Sequence, residues 1–179
     1  MQNQLFSEKD FSGPISILEI DGRAEYFNHF YGADESDHLF ESLLNSLAWT
    51  SDQIIMFGRS VITARKVAWV GDPECRYTYS GILKEPQGWT KELLRMKHLL
   101  ERITGHAYNS CLLNLYHNGD EGMGWHSDNE KELDSATPIA SISLPAYLLP
   151  FGSNVSIWLT PPLINNEITL LARASVDAP

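Results

Sequence analysis

The stretch Asn114-Leu-Tyr-His-Asn-Gly-Asp-Glu-Gly-Met-Gly-Trp-His-Ser-Asp-Asn-Glu130 decides which fold and which chemistry the sequence predicts. Its last histidine and aspartate, His126 and Asp128, are two residues apart. Side chains two positions apart on an extended strand point to the same face, so the imidazole and the carboxylate converge. They supply two of the three ligands of the 2-His-1-carboxylate triad that holds non-heme Fe(II). No histidine follows His126, so the sequence predicts an incomplete metal site.

The strand predicted just before these ligands, residues 111–116, alternates between two kinds of side chain. Asn114 and Tyr116 fall on one face, where they can donate hydrogen bonds to a carboxylate ligand. The opposite face is wholly apolar and consists of Cys111, Leu113 and Leu115. We therefore expect the polar pair to line a cavity while the apolar face builds the core. A His-x-Asp pair alone is weak, because a buried histidine bonded to a nearby carboxylate is its common alternative.

Hydrophobic periodicity predicts helices early in the chain and strands late. The helices are expected over residues 36–49, with Ser36 as N-cap, and 90–104, ended by Gly105. The strands are expected over residues 53–57, 61–70, 111–116 and 138–144, the first two as a hairpin. This order predicts the α+β class, with the strands forming a sandwich or barrel.

Composition and charge restrict the function classes. The chain has 179 residues, 43% hydrophobic content and two cysteines, and it shows no apolar run of transmembrane length and no signal peptide. We expect an intracellular protein, cytoplasmic in a bacterium or nuclear in a eukaryote. The net charge of -10 disfavours a generic nucleic-acid binder. Residues 59–102, however, carry nine bases and five acids, which indicates either a phosphate-facing patch or ordinary solvated charge.

Seven pieces of the chain, in order and in spacing, resemble the AlkB family of Fe(II)- and 2-oxoglutarate-dependent nucleic-acid dealkylases, closest to the homologues that repair double-stranded DNA. The pieces are Met56-Phe-Gly-Arg59, Ala64-Arg-Lys66, Tyr77-Thr-Tyr-Ser-Gly81, Gly105 through Asn109, Asn114-Leu-Tyr116, His126-Ser-Asp-Asn-Glu130 and Pro138-Ile-Ala-Ser-Ile-Ser-Leu144. The resemblance covers about residues 26–144 of a single expected domain, 1–179. It implies a double-stranded β-helix (jelly-roll) core with N-terminal helices and a nucleotide-recognition hairpin.

The resemblance also implies roles for individual residues. His126 and Asp128 are the catalytic iron ligands, and Asn114 and Tyr116 hold 2-oxoglutarate. The nucleic-acid contacts are Phe57 as an apolar wedge, Arg65 near the gap it fills, Tyr79 stacked on the flipped base with Ser80 beside it, and Glu130 on the lesion base. The implied cofactors are Fe(II), 2-oxoglutarate and O2. The implied partner is alkylated DNA, or RNA, bound by a monomer with no role for a membrane. Tyr79 as a core tyrosine and Phe57 as a buried strand residue are the simpler alternatives.

The resemblance stops after Leu144. Residues 145–179 contain no histidine, one arginine (Arg173) and only two other charged residues, Glu167 and Asp177. The family's distal histidine and its 2-oxoglutarate-binding arginine have no counterpart here. We therefore expect incomplete or non-native C-terminal strands. Three explanations stay open: a frameshift or misjoined exon near codon 144, a natural inactive relative, or substitution by Arg173 with one of the two acids.

The expected function is thus that of an oxidoreductase that removes alkyl groups from nucleic-acid bases. With two protein ligands instead of three, iron should bind weakly and turnover should be low. The first alternative is a non-catalytic nucleic-acid-binding relative or a fragment of such an enzyme. The second is a 2-oxoglutarate oxygenase that acts on a protein or a small molecule, which the basic middle of the chain disfavours.

Overall fold

The structure is a computed structural model that combines helices with antiparallel sheets, in keeping with the predicted α+β class. It describes residues 14–17, 24–27, 30–56, 59–79, 82–118, 120–122, 137–145 and 167–173. The helices are α1 (Ala33–Ser46) and α2 (Lys91–Thr104), and a 3-10 turn covers Pro73–Cys75. The strands are β1 (Ile15–Ser16), β2 (Glu25–Tyr26), β3 (Thr50–Met56), β4 (Arg59–Gly71), β5 (Tyr77–Tyr79), β6 (Ile82–Lys84), β7 (Ser110–Tyr116), β8 (Ala140–Pro145) and β9 (Glu167–Arg173).

The main sheet has five strands in the order β3-β4-β7-β9-β8, and all its pairings are antiparallel. Strand β4 is 13 residues long and has two sets of partners. Its second half, from Lys66 onward, pairs with β7, whereas its first half pairs only with β3 among the described strands. The predicted hairpin is therefore confirmed, and its end extends beyond β7 as a two-stranded ribbon.

The hydrophobic core lies between the two helices and one face of this sheet. Its sheet side is built by alternate residues of three strands: Ala68, Val70, Cys111, Leu113, Leu115, Ala140, Ile142 and Leu144. The helices contribute residues at helical spacing: Leu39, Leu43, Leu93, Met96 and Leu100. The predicted apolar face of residues 111–116 is thus confirmed as core. Neither helix described by the structure is long and apolar enough to cross a membrane.

The two helices differ in how well their ends follow from local sequence. For α2, the Thr90 hydroxyl accepts a hydrogen bond from the Leu93 amide, and Gly105 ends the helix at φ 73°, where glycine is favoured. The stop at Gly105 was predicted, whereas the capping role of Thr90 was not. For α1, the expected cap is wrong: Ser36 is fully buried inside the first turn, and Gly32 occupies the N-cap without a side-chain bond. Asp34 and Glu35, which favour a helix N-terminus, precede Ser36 in that turn.

In the tail after Leu144 the structure describes one strand, and the expectation of incomplete or non-native C-terminal strands stays a prediction. Strand β9 inserts between β7 and β8; it pairs along its whole length with β7, and with β8 from Glu167 to Ala172. The sequence resemblance ends before this segment, so only long-range pairing reveals it. Of the other expected tail residues, Arg173 is paired with Ser110 at one end of the strand, whereas Asp177 lies outside the described residues.

Candidate active site on the polar face of the sheet

The face of the sheet turned away from the core cluster collects buried polar side chains. Of the six buried polar residues in the described part of the chain, five lie on this side. Four of them alternate with core residues along β7 and β8, and the fifth, Arg65, is hydrogen-bonded to one of these four. We call this set the polar face: Arg65, Ser110, Asn114, Ser141 and Ser143. Tyr116 is 8% exposed and shares the face with Asn114. Asn114 and Tyr116, which share their face with Leu112, were predicted to lie opposite Cys111, Leu113 and Leu115, and this separation is confirmed.

One hydrogen bond joins two of the predicted site residues. The Arg65 guanidinium donates from Nη1 to Asn114 Oδ1 at 2.8 Å, and the two side chains are 7% and 1% exposed. Arginine has no acceptor atom, so the bond identifies the Asn114 atom facing it as the carbonyl oxygen. The amide Nδ2 of Asn114 is then the donor that this side chain can offer to a ligand.

A bulge in the hairpin explains how Arg65 reaches the polar face. The β3–β4 register shifts between Ser51, which pairs with Lys66, and Gln53, which pairs with Ile62. Three residues of β4 therefore oppose one residue of β3, and Arg65 is the last of the three. Thr63 Oγ1 donates to the Arg65 carbonyl at 2.8 Å inside the bulge. Bulges re-aim side chains and are common next to active sites.

Strand register places further hydroxyl-bearing residues in the same row. Thr169 of β9 pairs with Asn114 on one side and with Ser143 on the other. Asn114 and Ser143 are consequently two strand spacings apart, roughly 10 Å. At this separation the two side chains are not in direct contact.

The chemistry of this donor set fits 2-oxoglutarate. A dicarboxylate needs hydrogen-bond donors and positive charge, and the polar face offers an amide, three serine hydroxyls and one permanently charged guanidinium. For iron, the described residues contain no cluster of three or more histidine, cysteine or acidic side chains. The predicted ligands His126 and Asp128 lie outside the described residues, as does Glu130.

The chain leaving β7 is held by a histidine–glutamate pair. His117 donates its backbone N–H to Glu121 Oε2 at 2.9 Å, and its ring Nδ1 lies 3.0 Å from the same oxygen. Burial raises the pKa of the Glu121 carboxyl, but the hydrogen bonds from the His117 backbone and ring outweigh it, so the net pKa is lowered. The turn that leads from Tyr116 toward the predicted iron ligands is therefore anchored while Glu121 is ionised.

The ribbon formed by β3 and β4 presents an exposed surface of mixed character. Arg59, Ser60, Val61 and Ile62 are all exposed, and Ile62 is 72% exposed. The predicted wedge, Phe57, lies outside the described residues, between the paired residues Met56 and Arg59. A basic and apolar ribbon end is suited to a nucleic-acid surface, because it combines phosphate attraction with side chains that can contact bases.

A second short hairpin carries the predicted base-stacking residue. Strands β5 and β6 pair so that Tyr79 faces Ile82 in register. Ser80 follows Tyr79 and lies outside the described residues. Sequence periodicity did not predict this hairpin, in which Tyr79 is the last residue of β5. Its role in stacking stays a prediction.

Four residues of the candidate site escaped sequence reasoning. Ser110, Ser141 and Ser143 are buried on the polar face, and Ile62 is exposed on the ribbon. The signal for the serines was present, since each alternates with apolar residues in its strand. For Ile62 no local signal existed, because its exposure depends on the ribbon extending past β7.

Comparison with known proteins identifies the family to which the chain belongs. The profile of the 2OG-Fe(II) oxygenase superfamily matches residues 23–148. The chain therefore belongs to this superfamily of iron- and 2-oxoglutarate-dependent oxygenases, and within it to the AlkB family.

The chain is similar to curated proteins named as dioxygenases and DNA demethylases. The chain is 39% identical over 151 residues to the alpha-ketoglutarate-dependent dioxygenase alkB homolog 3 of Bos taurus, which covers 82% of this chain and 50% of that protein. It is 34% identical over 131 residues to the DNA oxidative demethylase ALKBH2 of Bos taurus, covering 69% and 47% respectively. The human ALKBH2 is 33% identical over 119 residues, covering 65% and 46%. The chain thus spans about half the length of these curated relatives.

Proposed function

We propose that this protein is an oxidative dealkylase of nucleic-acid bases that uses Fe(II), 2-oxoglutarate and O2. The buried pair Arg65–Asn114 carries the proposal, because it supplies an oriented amide and a fixed positive charge where a dicarboxylate cosubstrate would bind. The names of the relatives, which include a DNA oxidative demethylase, support DNA as the substrate. Residues 1–179 would form one domain with a jelly-roll core, in which the five-stranded sheet is one layer.

The chain's own residues would divide the work. Asn114 and Tyr116 bind the cosubstrate on the polar face, and Tyr79, with Ser80 and Glu130, holds an extruded base. Phe57 fills the gap that the base leaves, since a base inside a duplex is out of reach until it is flipped. His126 and Asp128 would hold the metal. When bound, iron supplies the oxidation chemistry, in which O2 hydroxylates the alkyl carbon and converts 2-oxoglutarate to succinate and CO2.

The exposed ribbon favours a nucleic acid over a protein or small-molecule substrate. Arg59 and Lys66 are exposed on β4, and Val61 and Ile62 expose apolar surface between them. Such a surface matches a polyanion with stacked apolar bases better than it matches a small metabolite. A gel shift with an alkylated oligonucleotide at several salt concentrations tests this, because phosphate contacts make affinity fall steeply with salt.

A non-catalytic nucleic-acid binder is the second candidate, favoured by the absence of a histidine after His126. The two candidates differ in metal binding and in cosubstrate consumption. We expect weak iron binding and low succinate release from purified protein supplied with Fe(II), 2-oxoglutarate and a methylated oligonucleotide. His126→Ala should abolish any such release, whereas His106→Ala, at an exposed position outside the site, should not. Succinate release that survives His126→Ala would refute the proposed metal ligand.

A further inference from the structure

Arg65 stands where the ribbon leaves the sheet. The last β4–β7 pair is Lys66 with Leu115, so Arg65 is the first residue of β4 beyond the shared sheet. Its side chain nevertheless turns to the polar face and bonds to Asn114, as the bulge and the Thr63 contact allow. A single residue thus connects the ribbon to the candidate cosubstrate site.

Burial of this guanidinium is costly unless hydrogen bonds and charge compensate for it. Arg65 is 7% exposed, whereas its neighbour Lys66 is exposed on the opposite side of the strand. The hydrogen bond to Asn114 compensates in part, and it has a second effect. It fixes which end of the Asn114 amide points away from the arginine, so that Nδ2 is held ready to donate.

We propose that Arg65 is a positioning residue for 2-oxoglutarate: it holds the Asn114 amide so that Nδ2 meets a cosubstrate carboxylate, and it adds a buried positive charge beside that carboxylate. This inference rests on the proposed function and deepens it. It differs from the role that the family resemblance implies for Arg65, which is a contact with nucleic acid near the flipped base. If Arg65 positions the cosubstrate, its replacement should weaken 2-oxoglutarate binding. If it contacts nucleic acid, its replacement should weaken DNA binding.

The first experiment compares Arg65→Met with Lys66→Met, which removes the same charge from the adjacent, exposed position. Binding of 2-oxoglutarate is measured by titration calorimetry in the presence of Mn(II) and in its absence, without oxygen. Arg65→Met should raise the Kd for 2-oxoglutarate roughly tenfold, the scale of one charge-assisted hydrogen bond. Lys66→Met should leave that Kd unchanged. A DNA gel shift without 2-oxoglutarate is run on both variants.

A second pair of variants separates positioning from folding. Asn114→Asp keeps an acceptor for Arg65, so the melting temperature should stay at or above that of the parent. It replaces the amide donor by a carboxylate, so 2-oxoglutarate binding should fall by more than tenfold because of repulsion. Arg65→Lys keeps the charge but loses the planar fork, and it should recover only part of the affinity lost in Arg65→Met.

The outcomes distinguish the inference from the function beneath it. If the parent chain binds 2-oxoglutarate and Arg65→Met binds it equally well, the inference is wrong and the proposed function stands. The same holds if Arg65→Met weakens only DNA binding, or lowers only the melting temperature. If the parent chain binds no 2-oxoglutarate under either metal condition, the proposed function fails and the inference fails with it.

Discussion

The side-chain amide of Gln87 forms two hydrogen bonds with the main chain of Ala48, accepting from its N–H at 2.8 Å and donating to its carbonyl at 3.0 Å. The backbone of Gln87 meanwhile bonds to Trp69 and Gly71 of β4. One residue therefore ties the segment after α1 to the sheet. The side-chain amide bonds to the Ala48 main chain as a neighbouring strand would, because an amide can both donate and accept a hydrogen bond.

Replacement of this amide by a carboxylate should destabilise the protein in a pH-dependent way. In Gln87→Glu an ionised oxygen faces the Ala48 carbonyl, so we expect a loss of about 1 kcal/mol at pH 7. Below the usual carboxyl pKa, about 4.3, the protonated group donates again and the loss should shrink. The native state favours the protonated form, so the contribution is present at low pH and lost as pH rises.

Urea denaturation at pH 4 and pH 7 measures this effect. Gln87→Ala serves as the matched variant, because it removes both bonds and introduces no titrating group. Equal stability of Gln87→Glu and the parent at both pH values would show that the two bonds contribute nothing.

Gly71 marks a close approach between β4 and the start of β7. A Cβ at this position would lie 3.0 Å from the Asn109 carbonyl oxygen and 3.1 Å from the Ser110 Cβ, so the backbone would have to move. We expect Gly71→Ala to destabilise the fold by about 1–3 kcal/mol. Gly88→Ala is the control, since nothing lies within 4 Å of its added Cβ. The urea midpoint of Gly71→Ala should be lower than that of Gly88→Ala. The reverse order would contradict the close packing at Gly71.

Glu35 on α1 should make stability fall as the pH rises. Burial raises the pKa of its carboxyl, although Arg95 and His38 act to lower it. The native state therefore holds the proton more tightly than the unfolded chain. Stability is highest below the unfolded pKa and is lost as pH rises toward the native pKa.

Glu35→Gln, which stays neutral, should melt at a higher temperature than the parent at pH 7 and at nearly the same temperature at pH 4. Glu41→Gln removes the same charge from an exposed position of the same helix, and so separates burial from net charge. A lower melting temperature for Glu35→Gln at pH 7 would mean that the attraction to Arg95 outweighs burial.

Ile62 should contribute to nucleic-acid affinity through its exposed apolar surface. It is 72% exposed on the ribbon, so Ile62→Ser should leave the melting temperature unchanged. Burial of part of this side chain against bases is worth about 1 kcal/mol, which is about a fivefold increase in Kd when it is lost. Ile17→Ser, at a 48% exposed isoleucine outside the ribbon, is the control for fluorescence-anisotropy titrations. Equal affinities for the two variants would remove the ribbon from the proposed interface.

Local sequence was sufficient for some elements of this fold. Helix α2 was predicted over residues 90–104 with a stop at Gly105, and the structure has the helix at Lys91–Thr104 with Gly105 as its C-cap. The alternation in β7 correctly separates Asn114 from the core residues, because a strand with one apolar face can be oriented in only one way. Short-range rules decide these features, so the sequence alone reveals them.

Other features depend on residues far apart in the chain. The burial of Arg65 requires a bulge in β4 and a partner 49 positions away, and neither leaves a local pattern. Ser36 has the right chemistry for an N-cap, but it lies within the helix, because the packing of α1 sets the helix start at Ala33. The pairing of β9 could not be predicted, because its sequence lies beyond the family resemblance. For the iron ligands, the spacing of His126 and Asp128 and the family resemblance remain the basis of prediction.

The position of β9 has a consequence for the order in which the protein can fold during synthesis. Strands β7 and β8 are not neighbours in the sheet, because β9 lies between them. Strand β9 follows both in the sequence, so it is synthesised after them. Until residue 173 has left the ribosome, each of the two earlier strands has an open edge that other chains could pair with. The emerging chain therefore passes through a period in which this gap exposes two strand edges, and β9, the last of the described strands to be made, is the one that fills it.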